Sequence, residues 1–135
     1  MRVFVDTDIL IDVLARREQW YQDSVQIWTM AESGKMTGIV SALSLNNIFY
    51  IVRKLEGLKT ANKSVLLLRN TFELAATTGQ IVNQTIDSGL KDYADAIQYF
   101  TAIHANADIL LTRNIKDFPR NEIPVLDPAD YLSQL

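Results

Sequence analysis

Five short extended runs alternate with helical periodicity along this chain, and that alternation limits its fold more than any other feature. The extended runs are Val3-Phe4-Val5, Thr37 to Val40, Phe72 to Ala76, Asp108 to Thr112 and Val125-Leu126. Between them, apolar residues recur at helical spacing. Ile9 and Val13, and Leu10 and Leu14, fall at i, i+4; Tyr21, Val25 and Trp28 continue at i, i+4, i+7. This predicts two early helices broken around Arg16 to Gln19, the second stopped by Gly34. Ser41 or Ser44 starts a helix carrying Ile48, Ile51, Val52 and Leu55, and Gly57 ends it. A further helix spans about Ala61 to Asn70. Thr77 or Thr78 caps one in which Ile81, Val82, Thr85 and Ile86 share a face, ended by Gly89. Asp92 is a good N-cap for a helix with Tyr93, Ile97, Phe100 and His104. Pro119 and Pro124 bracket a loop, and Asp127-Pro128 starts a terminal helix with proline at its tolerated first position. Strands alternating with helices imply an α/β fold: a three-layer sandwich with a parallel five-stranded sheet between helices. Right-handed crossovers leave few topologies.

The first run ends in Asp6-Thr7-Asp8. In parallel sheets, ligands sit outside the carboxyl ends of the strands. Two carboxylates two residues apart point the same way on extended backbone, and Mg²⁺ or Mn²⁺ suits such a hard oxygen site. Capping of the next helix is enough to account for Asp8; it leaves Asp6, at the end of a buried strand, unexplained.

Other acids and amides fall at comparable places. Asn47 lies in the first turn after the second strand. Asp92 and Asp95 open the long helix before the fourth strand. Asn114 and Asp117 follow that strand. Acids dispersed in sequence that meet at one sheet edge supply oxygen ligands while leaving positions open for substrate and water. Thr112 is placed to orient an acid or phosphate through its hydroxyl, or to cap a turn.

Composition narrows the classes. With 135 residues the chain is expected to be one domain, 1–135, large enough for a real core. Hydrophobic content of 48% argues against disorder, and no apolar run is long enough to span a membrane. A core strand directly after Met1 is unlike a signal peptide. The chain has no cysteine, which excludes disulfides and thiolate zinc sites and fits a cytoplasmic protein. With one histidine, His104, it has no multi-histidine metal site, and His104 is expected to be structural. A net charge of −3 argues against a constitutively basic nucleic-acid surface but not against a nuclease, whose active-site acids count as negative. Arg16-Arg17, Arg53-Lys54 and Arg113 are expected to be solvated. Trp20, Tyr21 and Trp28 are expected in the core or, if exposed, on a partner surface.

Four segments in this order resemble the PIN domain family, and within it the VapC-like ribonuclease toxins. They are Val5-Asp6-Thr7-Asp8-Ile9-Leu10, Ser41-Ala42-Leu43 into Asn47-Ile48-Phe49-Tyr50, Asp92-Tyr93-Ala94-Asp95-Ala96-Ile97, and Thr112-Arg113-Asn114 with Asp117-Phe118. The resemblance implies strand order 3-2-1-4-5 and a Mg²⁺- or Mn²⁺-dependent endoribonuclease, the toxin of a toxin–antitoxin pair. It implies Asp6, Asp95 and Asp117 as metal-binding and catalytic acids, Asn114 or Asp117 in the fourth position, and Asp8, Asn47, Asp92 and Thr112 in support. The implied partners are RNA, a cognate antitoxin and a second copy of the chain. Two positions depart from the family's pattern. Asn47 stands where a Glu is usual, and Ala94 replaces an acid often found beside Asp95. A catalytically silent binding module is therefore the competing reading. Asp6-Thr7-Asp8 also resembles the nucleophile motif of haloacid-dehalogenase-type phosphatases, but no glycine precedes a late acidic pair, and the chain is short for that fold.

Overall fold

A computed structural model of the chain describes residues 1–119 and 121–135. Its strands are β1 (Arg2–Val5), β2 (Thr37–Ser41), β3 (Glu73–Ala75), β4 (Ile109–Leu111) and β5 (Val125–Leu126). The helices are α1 (Thr7–Leu14), α2 (Tyr21–Glu32), α3 (Ala42–Glu56), α4 (Leu58–Thr71), α5 (Gly79–Ser88), α6 (Tyr93–His104) and α7 (Pro128–Ser133). The strands form one parallel sheet in the order β3-β2-β1-β4-β5. The Pro119–Pro124 loop expected from the sequence includes Arg120, which lies outside the described residues.

The chain's first strand is the middle of the sheet, and its alternation builds two cores. Val3 and Val5 face one layer, with Ile9, Ile27, Ile48 and Leu68 of α1 to α4. Phe4 faces the other, with Ile81 of α5 and Ala96, Ile97 and Tyr99 of α6. A strand covered on both sides needs apolar residues at consecutive positions, which is why β1 reads as an unbroken run. β4 behaves alike: Leu110 faces one core, Ile109 and Leu111 the other.

Local chemistry places the helix starts. Ser41, rather than Ser44, caps α3, accepting from the Ser44 N–H. Thr78, rather than Thr77, caps α5, and Asp127 caps α7 with Pro128 at its first position. Gly34, Gly57 and Gly89 have φ of +80°, +93° and +68° where the sequence predicts stops.

Several expectations from periodicity are corrected. Leu55 and Ile86 are 59% and 63% exposed, because each lies on the outer edge of a stripe whose centre, Val52 or Ile81, meets the sheet. Trp28 is buried and packs edge-on against Phe72 with ring centroids 5.2 Å apart. It belongs to the core, the first of the two placements expected for it.

Candidate metal centre

The carboxyl ends of β1, β2 and β4 deliver Asp6, Ser41 and Thr112 to one end of the sheet. Val5 pairs with Leu111 in register, and Asp6 N–H donates to Leu111 O at 3.0 Å. Asp6 and Thr112 thus leave adjacent strands side by side, and Thr112 Oγ1 donates to Asp6 Oδ2 at 2.9 Å.

Asp6 itself, and not Asp8, is the N-cap of α1, accepting from the Thr7 N–H at 2.9 Å. The helix starts at Thr7, so Asp8 lies in its first turn and the two-residue alternation of a strand does not apply to the pair. Asp8 is exposed, on the wall of the same opening as Asp6. Burial raises the Asp6 pKa; donors from Gln98, Thr112 and the Thr7 backbone oppose the rise.

α6 brings the next acids. Asp92 caps it, accepting from the Asp95 N–H at 3.0 Å. Asp95 is then fixed in the first helical turn, half-buried. Asn114, after β4, donates from Nδ2 to Asp95 Oδ2 at 3.4 Å and to Asp117 Oδ2. Asp117 closes a short 3₁₀ turn, Ile115–Asp117. The Asp95 pKa rises to about 7, chiefly through burial and then through the charges of Asp6, Asp92 and Asp117, with the Asn114 donor opposing.

One carboxylate oxygen from each of Asp92, Asp95 and Asp117 lies within 4.8 Å of the others. Oxygens sharing an octahedral Mg²⁺ at about 2.1 Å are at most ~4.2 Å apart, so small side-chain movements would suffice to join them on one ion. None of the ion pairs among the described residues involves Asp6, Asp92, Asp95 or Asp117. A carboxyl whose pKa is raised to about 7 by burial and then by unrelieved like charges, in an all-oxygen donor set, fits a hard divalent cation. The tight trio differs from the one the resemblance implied, since Asp92 joins Asp95 and Asp117 while Asp6 stands beside them in its own set of donors. Asp6, Asp95 and Asn47 all line one cleft of about 630 Å³, with Tyr50 and Tyr93 on its walls. Asn47 is exposed there and brings an amide without charge.

Two buried polar residues escaped the sequence reading. Gln98, 6% exposed, donates to Asp6 Oδ1 at 3.2 Å. It lies three residues after Asp95, on the same helical face, which is the signal that would have found it. Asp12, fully buried in the apolar run of α1, faces Arg113 with Nε to Oδ2 at 2.9 Å and receives Ser24 Oγ at 3.3 Å. Burial raises its pKa and the Arg113 charge opposes the rise. Arg113 also lies 3.8 Å over the Trp20 ring. It is therefore neither solvated nor a free phosphate contact, and Arg17, 3.8 Å from Asp12 Oδ1, is not simply solvated either. His104 meets Gln84 at 3.0 Å, at the end of α6 away from Asp95.

Comparison with known proteins agrees with this architecture. Residues 2–116 match the family model described as PIN domain. The chain is 24% identical over 135 residues to Ribonuclease VapC1 of Aquifex aeolicus (strain VF5), covering 96% of this chain and 92% of that protein. Its fold is similar to the DNA-bound VapBC structure from Salmonella typhimurium, with a TM-score of 0.70 and 15% identity over 95% of this chain and 98% of that one. A toxin-antitoxin complex from Klebsiella pneumoniae gives a TM-score of 0.69 and 21% identity over 93% and 97%.

Proposed function

The chain belongs to the PIN domain family, and from that premise we propose that it is a divalent-metal-dependent endoribonuclease, the toxin of a toxin–antitoxin pair. The observation that carries the reading is the convergence of Asp92, Asp95 and Asp117 beside the buried Asp6, with Asp6 and Asp95 lining a cleft and with no ion-pair partner for any of the four among the described residues. The relative in Aquifex aeolicus carries the name ribonuclease, and the Klebsiella pneumoniae structure is a toxin-antitoxin complex. A cognate antitoxin and a second copy of the chain are the partners that follow. No helix among the described residues is long and apolar enough to cross a membrane, and the cytoplasm, where RNA is met, is the compartment we assign.

In this reading Asp92, Asp95 and Asp117 would hold Mg²⁺ or Mn²⁺ together with Asp6. The ion would polarise a water and offset the charge that develops on the scissile phosphate. The chain's own residues do the rest. Asp95, whose pKa burial and like charges raise in the metal-free protein, would stay ionised and able to accept a proton once a bound cation offsets them. Its Oδ1, the oxygen that Asn114 does not engage, is the atom we assign to take the proton of the attacking water. Asn114 fixes the separation of Asp95 and Asp117, and Thr112 fixes Asp6.

Purified protein incubated with RNA should cleave it with Mn²⁺ and not with EDTA, and Asp6→Asn and Asp95→Asn should each abolish cleavage while folding normally. Cleavage by both variants at the parental rate would overturn the assignment. The uncharged Asn47 supports a second reading, a binding module without activity. That module would show no Mn²⁺-dependent rise in melting temperature, whereas a real site stabilises the native state by mass action.

A further inference from the structure

Gln98 ties three parts of the chain together. Its Nε2 lies 2.8 Å from Ser44 Oγ, 3.2 Å from Asp6 Oδ1 and 3.2 Å from Thr7 Oγ1, and its Oε1 accepts from Ser41 Oγ at 2.8 Å. Chemistry fixes the amide's orientation. Turned over, it would set its oxygen against the Asp6 carboxylate, two acceptors with no proton between them.

With Nε2 toward Asp6, the amide oxygen has no proton to give, so Ser41 donates to Gln98 Oε1. Ser41 Oγ also accepts from the Ser44 N–H at 2.9 Å and lies 2.9 Å from Ser44 Oγ. Ser44 Oγ and Thr7 Oγ1 are hydrogen-bonded across 2.6 Å. Gln98 thus binds Ser41 through its oxygen and Asp6 through its nitrogen, with Ser44 and Thr7 packed around it.

The Asp6 carboxylate offers about four acceptor sites, two on each oxygen. Oδ1 takes the Thr7 N–H and Gln98; Oδ2 takes Thr112. One site remains, on Oδ2. We infer that Gln98 is a positioning residue that occupies Asp6 Oδ1 and so commits Asp6 to hold the divalent cation through Oδ2 alone. The inference rests on the metal reading proposed above. Gln98 also sets the distance from Asp6 to α3, because Ser44 lies one turn before Asn47.

The test is calorimetric titration of Mn²⁺ into the full chain, with thermal melts in EDTA and in Mn²⁺, for the parent, Gln98→Met, Ser44→Ala and Thr101→Val. Thr101→Val is the control. It removes a buried hydroxyl from the same helix, one that bonds Ile97 O at 2.7 Å and approaches Thr77 at 3.1 Å. Gln98→Met should weaken Mn²⁺ binding about tenfold, as loss of an outer partner of a metal ligand does. It should also shrink the Mn²⁺-induced rise in melting temperature and alter the electron paramagnetic resonance spectrum of the bound ion. Thr101→Val should lower the metal-free melting temperature and leave Mn²⁺ affinity unchanged. Ser44→Ala keeps the Ser41 cap and should weaken Mn²⁺ in the same direction as Gln98→Met, but less, so the question stays answerable if Gln98→Met fails to fold. Parental affinity and spectrum in whichever of these two variants fold would overturn the inference alone. If the parent binds no Mn²⁺, the metal reading falls with it.

Discussion

Thr112 Oγ1 donates to Asp6 Oδ2 across 2.9 Å and accepts the Asn114 N–H at 3.1 Å, so one buried hydroxyl joins the end of β1 to the loop that carries Asn114 and Asp117. Thr112→Val keeps the shape and removes both bonds. Leaving buried partners unsatisfied costs about 1–3 kcal/mol. Urea unfolding should show that loss, and RNA cleavage should fall because the Asn114–Asp117 loop is no longer fixed. Unfolding at the parental midpoint with full activity would show that the bond does neither.

Asp95 sets a pH dependence. Its folded pKa, about 7, lies above the value near 3.9 of an unfolded chain. The folded state therefore binds the proton more tightly. The stability this group contributes is fully present below about pH 4, is lost as pH rises towards 7, and stays lost above it. Asp95→Asn should stabilise the metal-free protein at pH 8 by about 1 kcal/mol, after discounting for solvent screening. The gain should vanish at pH 4. Melts in EDTA across this range check it; a difference independent of pH would contradict it.

Asn47 lines the cleft with Asp6 and Asp95. Asn47→Glu adds a charge facing the other acids. Without metal the variant should melt lower than the parent. With Mn²⁺ it should gain more, since ligand charge raises affinity for a hard cation; tenfold tighter binding is about 1.4 kcal/mol. Equal metal-induced shifts in the two proteins would show that position 47 lies outside the site.

The Asp12–Arg113 pair predicts a large structural effect away from the acids. Arg113→Met leaves the fully buried Asp12 carboxylate with the Ser24 hydroxyl at 3.3 Å and, among the described cations, only Arg17 at 3.8 Å. Breaking a buried pair costs about 3–5 kcal/mol, whereas replacing both partners by apolar residues is often close to neutral. Urea unfolding of Arg113→Met and of Asp12→Leu/Arg113→Met together should show the first strongly destabilised and the second largely recovered. Equal loss in both would mean that the pair is not the cause.

The elements were legible because local chemistry marks them. Serine, threonine or aspartate stands before α3, α5, α6 and α7, glycine follows α3 and α5, and unbroken apolar runs mark β1 and β4. The carriers of the site's acids were legible too, since each falls where a strand ends or a helix begins. Asp12 was hidden because it sits in an apolar run and its partner Arg113 follows β4, near the other end of the chain. Local spacing gives no register for such a pair. Gln98 was hidden by being uncharged, although its spacing from Asp95 pointed to it. The direction of Asp8 relative to Asp6 was not legible, because α1 starts at Thr7 and the strand alternation does not reach Asp8, the second residue of that helix. Leu55 and Ile86 show that periodicity finds a stripe but not how much of its width the sheet covers.

The central position of β1 has a consequence for synthesis. Asp6 is made before Gln98 and Thr112, which hold its two oxygens and come 92 and 106 residues later. At about 5–20 residues per second, roughly 5 to 20 s of translation separate the first carboxylate from its last support. Until then β1 lacks its β4 neighbour and Asp95 has no Asn114 beside it. A growing chain therefore cannot present a complete acidic centre, and neither can a fragment released before Thr112. The acidic centre is completed only once Thr112 has been made, and that timing follows from nothing more than the order of strands in the sheet.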